Sequence, residues 1–484
     1  MISLKFTKKN IIIFELTLIV FLSLVTMFYN LDKGSLADWD EAIYAEVSKE
    51  MLLDNDWVTL HYNSEPRFIK TPLFQYFLSI IYSLFGISTF TSRVLVAIFG
   101  LGTVLVTFFF SKELFNHKAA FISSLVLLSA PQFLHKSKML MLDVPTTFFI
   151  VLSLYLFVLT QRKKSFFYLL GISLGCSVMM KGVVGLLPIF IIIGYLLLTN
   201  NIKSLGQKNY LKVLWIFLII VVPWHLAQII LHGQDFINQY FFRNIIERVS
   251  VAIEQHNYGN LFYLKVLIHG LGAWFYALIA AIIYFMIKIK KKESKLILCW
   301  IIIIAAIFLI AKTKLPWYLI PLYPAFAIAI GGLLYNIKIK KVYLGVIIAI
   351  IIFIFSFHIP EPFYCNNSAS NIEMIAGDRL KVHDSISMQP GELFYFGSER
   401  YKDESLLTGN FYTSRFNLCD SFSNCKLIYG EKYYGLFTTS DNSLNYNLLK
   451  EKISIIPKTQ KEPERYCYAF MPMNLGIYYS KSTI

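Results

Sequence analysis

The chain of 484 residues is 56% hydrophobic and only 15% charged, which excludes an ordinary soluble globular protein and marks a polytopic membrane protein. Its net charge of +15 would suit nucleic acid, but the Lys and Arg residues are scattered through short loops between apolar runs. That pattern reports orientation in a bilayer and excludes a nucleic-acid partner.

Apolar segments of spanning length run near 11–29, 71–86, 93–110, 119–134, 144–160, 166–180, 183–199, 211–231, 263–287, 295–311, 318–334 and 341–358. The first follows Lys5, Lys8 and Lys9; it lacks a small-residue cleavage site and reads as a retained anchor rather than a signal peptide. Three Lys/Arg in 1–10, two in 111–118, three in 161–165, three in 200–212, five in 288–295 and three in 335–341 place these loops in the cytoplasm. For the loops to alternate, 71–110 must make one net crossing, so 71–86 is expected to be re-entrant or interfacial. The result is a mainly α, polytopic transmembrane bundle over 1–358, with eleven crossings, an inside N-terminus and an outside C-terminus in the cytoplasmic membrane.

The first outer loop, 30–70, carries nine acidic residues. Asp38 is placed to cap a helix with Glu41 three positions on, and Trp39, Ile43, Val47 and Met51 recur every four residues. Such a helix is expected to lie flat on a membrane surface, apolar side down. Asp40 and Tyr44 share a neighbouring face, and Arg67 and Lys70 close the loop.

Further along, the outer side receives 135–143, the 180–183 corner, 232–262 and 312–317. Lys181 stands in GCSVMMKGVVGLLP, inside a continuous apolar stretch where an ionisable group costs a few kcal/mol and marks a functional site by default. After Phe357 the composition turns polar, with strand-like runs at Glu392–Phe396, Lys426–Tyr429 and Ile453–Ile456. Residues 359–484 are expected to form a small α/β or α+β extracytoplasmic domain. Cys365, Cys419, Cys425 and Cys467 lie in it, either as disulfides, with Cys419 to Cys425 closing a short loop, or as free thiols.

No soluble-enzyme motif is present. What the loops offer is convergence at one membrane face: Asp40 and Glu41, Lys70, Asp143, Lys181, Arg243 with Arg248 and His256, and Lys314 with Tyr318. Cations stabilise charge developing on a departing phosphate, and a carboxylate takes the proton of an incoming hydroxyl. Such a set suits glycosyl transfer from a lipid phosphate. Each group also has a structural role open to it. Glu41 completes a capping box, Asp143 opens a helix before Val-Pro, and Tyr318 with Trp317 joins an aromatic belt. Asp40 has no such role, because the cap already uses Asp38.

The stretch WDEAIYAEVSKEMLLDNDWVTLHYNSEPRFIKTPL, followed in order by LDVPTTFF, MMKGVVGLLP, PWHLAQ, EQHNYGNLFYL and KLPWYLIPLYP, resembles the membrane glycosyltransferases that include the lipid A aminoarabinose transferase and the protein O-mannosyltransferases. The resemblance covers roughly 10–335. It implies a C-type glycosyltransferase fold and a polyprenyl-phosphate-linked sugar donor, with Asp40 at the catalytic aspartate and Asp143 at a second acidic position. By the same resemblance Lys70, Lys181 and Tyr318 surround the donor's phosphate, and His256 matches a histidine that can bind metal. Ile69 stands where the aminoarabinose branch has a glutamate, and Ile43 where it has an arginine. His256 is therefore left as the only metal candidate, and no divalent metal is expected to be required. The expected function is inverting transfer of one sugar, hexosyl or pentosyl, to a glycolipid, glycan or protein acceptor. A transporter or lipid-binding scaffold is the alternative class; it would favour paired repeats and polar groups at the bilayer midplane.

Overall fold

The computed structural model describes residues 7–32, 36, 40–62, 65–247, 250, 259 and 261–335, together with two short strands beyond them. Contacts divide the chain into two units: 1–31, 67–77 and 93–360 in one, 32–66, 78–92 and 361–484 in the other.

The first unit is a helical bundle. Helix α1 (Lys8–Phe28) starts where the Thr7 hydroxyl accepts the amide of Asn10, one of the orphan donors of a helix start. Then come α4 (Thr89–Leu114), α5 (His117–Leu128), α6 (Pro131–Lys136), α7 (Asp143–Leu159), α8 (Phe166–Lys181), α9 (Leu187–Leu198) and α10 (Lys208–Phe236). A π-helix, Ile237–Glu247, continues α10, and α11 (Phe262–Leu271), α12 (Trp274–Ile287), α13 (Lys292–Ile310) and α14 (Tyr323–Leu334) complete the bundle. Helix α3 (Leu73–Phe85) begins in this unit and ends in the other. Its 13 residues span about 20 Å, short of the bilayer's hydrocarbon core of about 30 Å. Among the described residues, six helical stretches are long and apolar enough to cross a membrane, or seven if a bent pair is one span. Among them, Phe166–Leu198 doubles back at its middle. A Cβ on Gly185 would sit 2.1 Å from the Ser177 carbonyl oxygen, whereas eight residues of straight helix separate two points by about 12 Å.

Small residues set the packing distance, as membrane bundles require. On α8, Gly171 and Gly175 face Ile216 and Ile220 of α10, and a Cβ at either glycine would come within 2.9 Å of the isoleucine side chain. Hydroxyls within the bundle return their protons to the preceding turn or to each other. Ser153 on α7 meets Ser173 on α8 at 2.8 Å, which satisfies both hydroxyls in the apolar interior, whereas the hydroxyls of Ser177 on α8 and Ser294 on α13 are buried without a hydrogen-bond partner among the described residues.

The basic loops gather at one end of this unit. Arg162 pairs with Glu113 at 2.6 Å, His117 with Glu15 at 3.1 Å, Lys212 donates to the Tyr168 hydroxyl, and Lys295 donates to the Leu198 carbonyl. At the other end, Gln132 donates to the Pro316 carbonyl, Trp274 to the Ser129 hydroxyl, and the Lys136 ammonium lies 4.8 Å over the Trp317 ring. The basic loops within 111–118, 161–165, 200–212 and 288–295 are thus neighbours in space.

The run 263–287, expected as one span, is bent by 110° between α11 and α12. Gly272 adopts φ 56°, a left-handed conformation that a residue without Cβ enters at no cost, and the continuous apolarity of the run conceals it.

In the second unit, α2 (Asp40–Leu53) is followed by an antiparallel pair, β1 (His61–Tyr62) and β2 (Glu65–Pro66). The Ser79 hydroxyl of α3 donates to the Ser48 carbonyl at 2.8 Å. Helix α2 corrects the expectation of a flat surface helix. Glu41 through Lys49 are all buried, so it is enclosed on nearly every side. Its charges are accommodated in pairs, Lys49 meeting Glu46 at 2.7 Å. Asp38 and Trp39 lie outside the described residues. So do the cysteines from Cys365 onward and the strand-like runs after 359, except that β3 (Tyr395–Phe396) pairs in parallel with β4 (Phe437–Thr438).

Candidate active site

The centre of the site is the corner between α8 and α9. Lys181 ends α8 and reaches Asp143, the first residue of α7, at 2.6 Å, with side chains 8% and 5% exposed. A buried carboxylate without a cation would carry a penalty of several kcal/mol; this one also sits at a helix N-terminus, where the peptide dipoles favour negative charge. The Lys181 ammonium uses one of its three N–H groups on Asp143. Among the described residues the other two meet no hydrogen-bond acceptor, so they can serve an anion at the corner.

Thr71 ties the end of the first loop to that corner. Its hydroxyl donates to the Val178 carbonyl and accepts the Gly182 amide, both at 3.1 Å. On the other side of Lys70, the Asn244 side chain donates to the Ile69 carbonyl at 2.6 Å. Half-buried Lys70 is thereby held by its flanking residues between the Lys181 corner and the π-helix that carries Arg243. Phe68 anchors the same irregular stretch, its ring 4.7 Å from His232 and 5.7 Å from Phe236, in a cluster with Met179, Trp224 and Tyr240.

Tyr240 closes the corner from above. Its hydroxyl would lie 2.8 Å from a Cβ on Gly182, and it bonds His225 Nε2 at 3.1 Å. His225 Nδ1 lies 2.8 Å from the Val221 carbonyl, which can only accept, so Nδ1 carries the proton and the Tyr240 hydroxyl donates to Nε2.

The other expected site residues distribute as follows. Asp40 is half-buried in the first turn of α2, beside buried Glu41 and with buried Tyr44 one turn on; all three belong to the second unit. Arg243 is exposed on the π-helix. Lys314 is half-buried, and the Tyr318 ring stacks on Phe308 at 5.0 Å. Arg248 and His256 lie outside the described residues. Among those described, no three of His, Cys, Asp and Glu come together as metal ligands, and no step below is routed through a metal.

Sequence reasoning missed Thr71, Asn244 and the His225–Tyr240 pair. Thr71 and Asn244 adjoin residues that were singled out, Lys70 and Arg243, but nothing in a neutral side chain announces a contact more than a hundred positions away. Arg93 and His135, which join Lys136 and Lys138 of the outer stretch 135–143, were also passed over. Arg93, His135, Lys136 and Lys138 lie close enough that burial and the three cations press the His135 imidazole down to about 3.

Comparison with known proteins agrees with this architecture. Residues 17–234 match the family model described as dolichyl-phosphate-mannose-protein mannosyltransferase. A protein of Aquifex aeolicus, itself of uncharacterised function, is 31% identical over 323 residues, covering 66% of this chain and 64% of its own length. The undecaprenyl phosphate-alpha-4-amino-4-deoxy-L-arabinose arabinosyl transferase 2 of Pseudomonas fluorescens is 28% identical over 319 residues, covering 64% of this chain and 54% of its own. The chain thus spans less than two thirds of these relatives. The crystal structure of ArnT from Cupriavidus metallidurans bound to undecaprenyl phosphate superposes with a TM-score of 0.67 at 20% identity, covering 82% of this chain and 84% of that one. The chain is therefore a multi-pass membrane protein with the C-type glycosyltransferase fold, resembling the lipid A aminoarabinose transferases and the protein O-mannosyltransferases.

Proposed function

We propose that the chain is an inverting glycosyltransferase that moves one sugar, a hexose or pentose, from a polyprenyl-phosphate donor to a glycolipid, glycan or protein acceptor. The reaction takes place at the outer face of the cytoplasmic membrane, on a bundle of eleven crossings with a cytoplasmic N-terminus. Residues 359–484 form an extracytoplasmic domain where the acceptor is recognised. The observation that carries this reading is the Asp143–Lys181 pair, buried at the end of the bundle away from the basic loops. The names of the relatives support the donor class.

In the proposed step an acceptor oxygen attacks the anomeric carbon opposite the phosphate. The sugar–oxygen bond breaks, its electron pair stays on the phosphate oxygen, and polyprenyl phosphate leaves. Lys181 and Lys70, with Arg243, Arg248, Lys314 and Tyr318, hold the leaving phosphate and stabilise its growing charge. Asp143 orients Lys181, and Asp40 receives the proton of an acceptor hydroxyl. Glu41 and Tyr44 support Asp40 from the same helix, and His256 contributes to the acceptor side. A protein acceptor is favoured as the second reading by the family description over 17–234, and it changes the acceptor alone.

Asp40→Asn tests the assignment, because it removes the charge and keeps the shape. Transfer should fall by about 10²–10⁴ while donor binding is retained. Wild-type turnover in Asp40→Asn, with Asp143→Asn inactive, would move the base to the other loop.

A further inference from the structure

At the end of the bundle where the basic loops gather, opposite the Lys181 corner, there is a cavity of about 450 Å³ between α4, α7 and the start of α8. Its walls are Phe109, Tyr155, Leu159 and Phe166, and its rim is Lys112, Glu113 and Arg162. The Glu113 carboxylate holds the Arg162 guanidinium at 2.6 Å although Arg162 is 66% exposed, so a side chain that would otherwise sweep through solvent is fixed at the mouth. The mouth thus holds two cations, Lys112 and Arg162, against one carboxylate, and the adjoining α7–α8 connection carries Lys163 and Lys164, both exposed. Tyr155, half-buried in the wall, makes no side-chain hydrogen bond among the described residues, which leaves its hydroxyl to serve a ligand.

An aromatic and aliphatic interior opening onto fixed cations fits a molecule that is apolar at one end and anionic at the other. We propose that this cavity binds an anionic phospholipid, its acyl chain against Phe109, Leu159 and Phe166 and its phosphate at Lys112 and Arg162. Basic pockets between transmembrane helices recognise anionic headgroups in this way.

The test uses the full chain in nanodiscs of phosphatidylcholine with a minor fraction of phosphatidylglycerol, followed by native mass spectrometry of the lipids that stay bound. Wild type should retain phosphatidylglycerol in excess of its share. Lys112→Gln and Arg162→Gln should each reduce that preference about fivefold, while Lys208→Gln, at the same end but off the cavity, should not. Leu159→Trp narrows the cavity with a larger ring and leaves every cation in place; it should reduce retention and thereby separates the pocket from general attraction to a basic surface. The proposal is overturned if wild type shows no preference, if Leu159→Trp retains as much as wild type, or if free glycerol phosphate displaces the signal at millimolar concentration, which would mean a soluble phosphate site.

Discussion

The Lys181 ammonium and the Asp143 carboxylate were each conspicuous as charges in apolar sequence, but their pairing across 38 positions is a property of the antiparallel packing of α7 and α8. A single sequence carries no register between helices. Glu46 makes the same point on α2, where it lies beside the apolar stripe and was passed over. Burial pushes its carboxyl up to about 8, against the lowering pull of Lys49. Between the ordinary value of 4.5 and about 8, the native state keeps a proton that the unfolded chain has released, so this residue's contribution to stability falls as pH rises through that window. Glu46→Gln should flatten the pH dependence of thermal unfolding between about pH 5 and 8, and an unchanged slope in the variant would show that another group sets it.

The α8–α9 hairpin was legible as an element because its two halves are separately apolar and Lys181 falls between them. Helix α2 was legible by its period, yet its enclosure was not: Glu46, Ser48 and Lys49 are polar by type, and they are buried because they pair or return their protons to the backbone. The bend at Gly272 escaped for a different reason, since a glycine in an apolar run looks the same whether its φ is positive or negative. The hairpin also yields an expectation at Gly185. A methyl group there would meet the backbone of Ser177 and Val178, which cannot swing aside as a side chain can, so Gly185→Ala should cost several kcal/mol and sharply lower the yield of folded protein. Gly206, with open space around it, should accept Ala with a change within about 0.5 kcal/mol. Equal yields and melting temperatures for the two variants would mean that the corner relaxes more readily than its packing implies.

Within the first unit, the basic loops of 111–118, 161–165, 200–212 and 288–295 meet at one end of the bundle, and the segments that follow α5 and α13 meet at the other. Which end faces outward is carried by the positive-inside rule. A reporter active only outside the cytoplasm should be active when fused after Tyr29, after Gln255 and at Ile484, and inactive after Lys292; the reverse pattern would invert the assignment and place the Lys181 corner inside. The donor class depends on that corner. Asp143→Asn combined with Lys181→Gln removes both charges and so leaves no unpaired ion in the interior. Binding of undecaprenyl phosphate to the purified full chain, measured for wild type, for this double variant and for Lys203→Gln at the opposite end, is the most direct test. The account predicts that wild type and Lys203→Gln bind alike and that the double variant loses roughly tenfold or more. Equal binding by all three would contradict it.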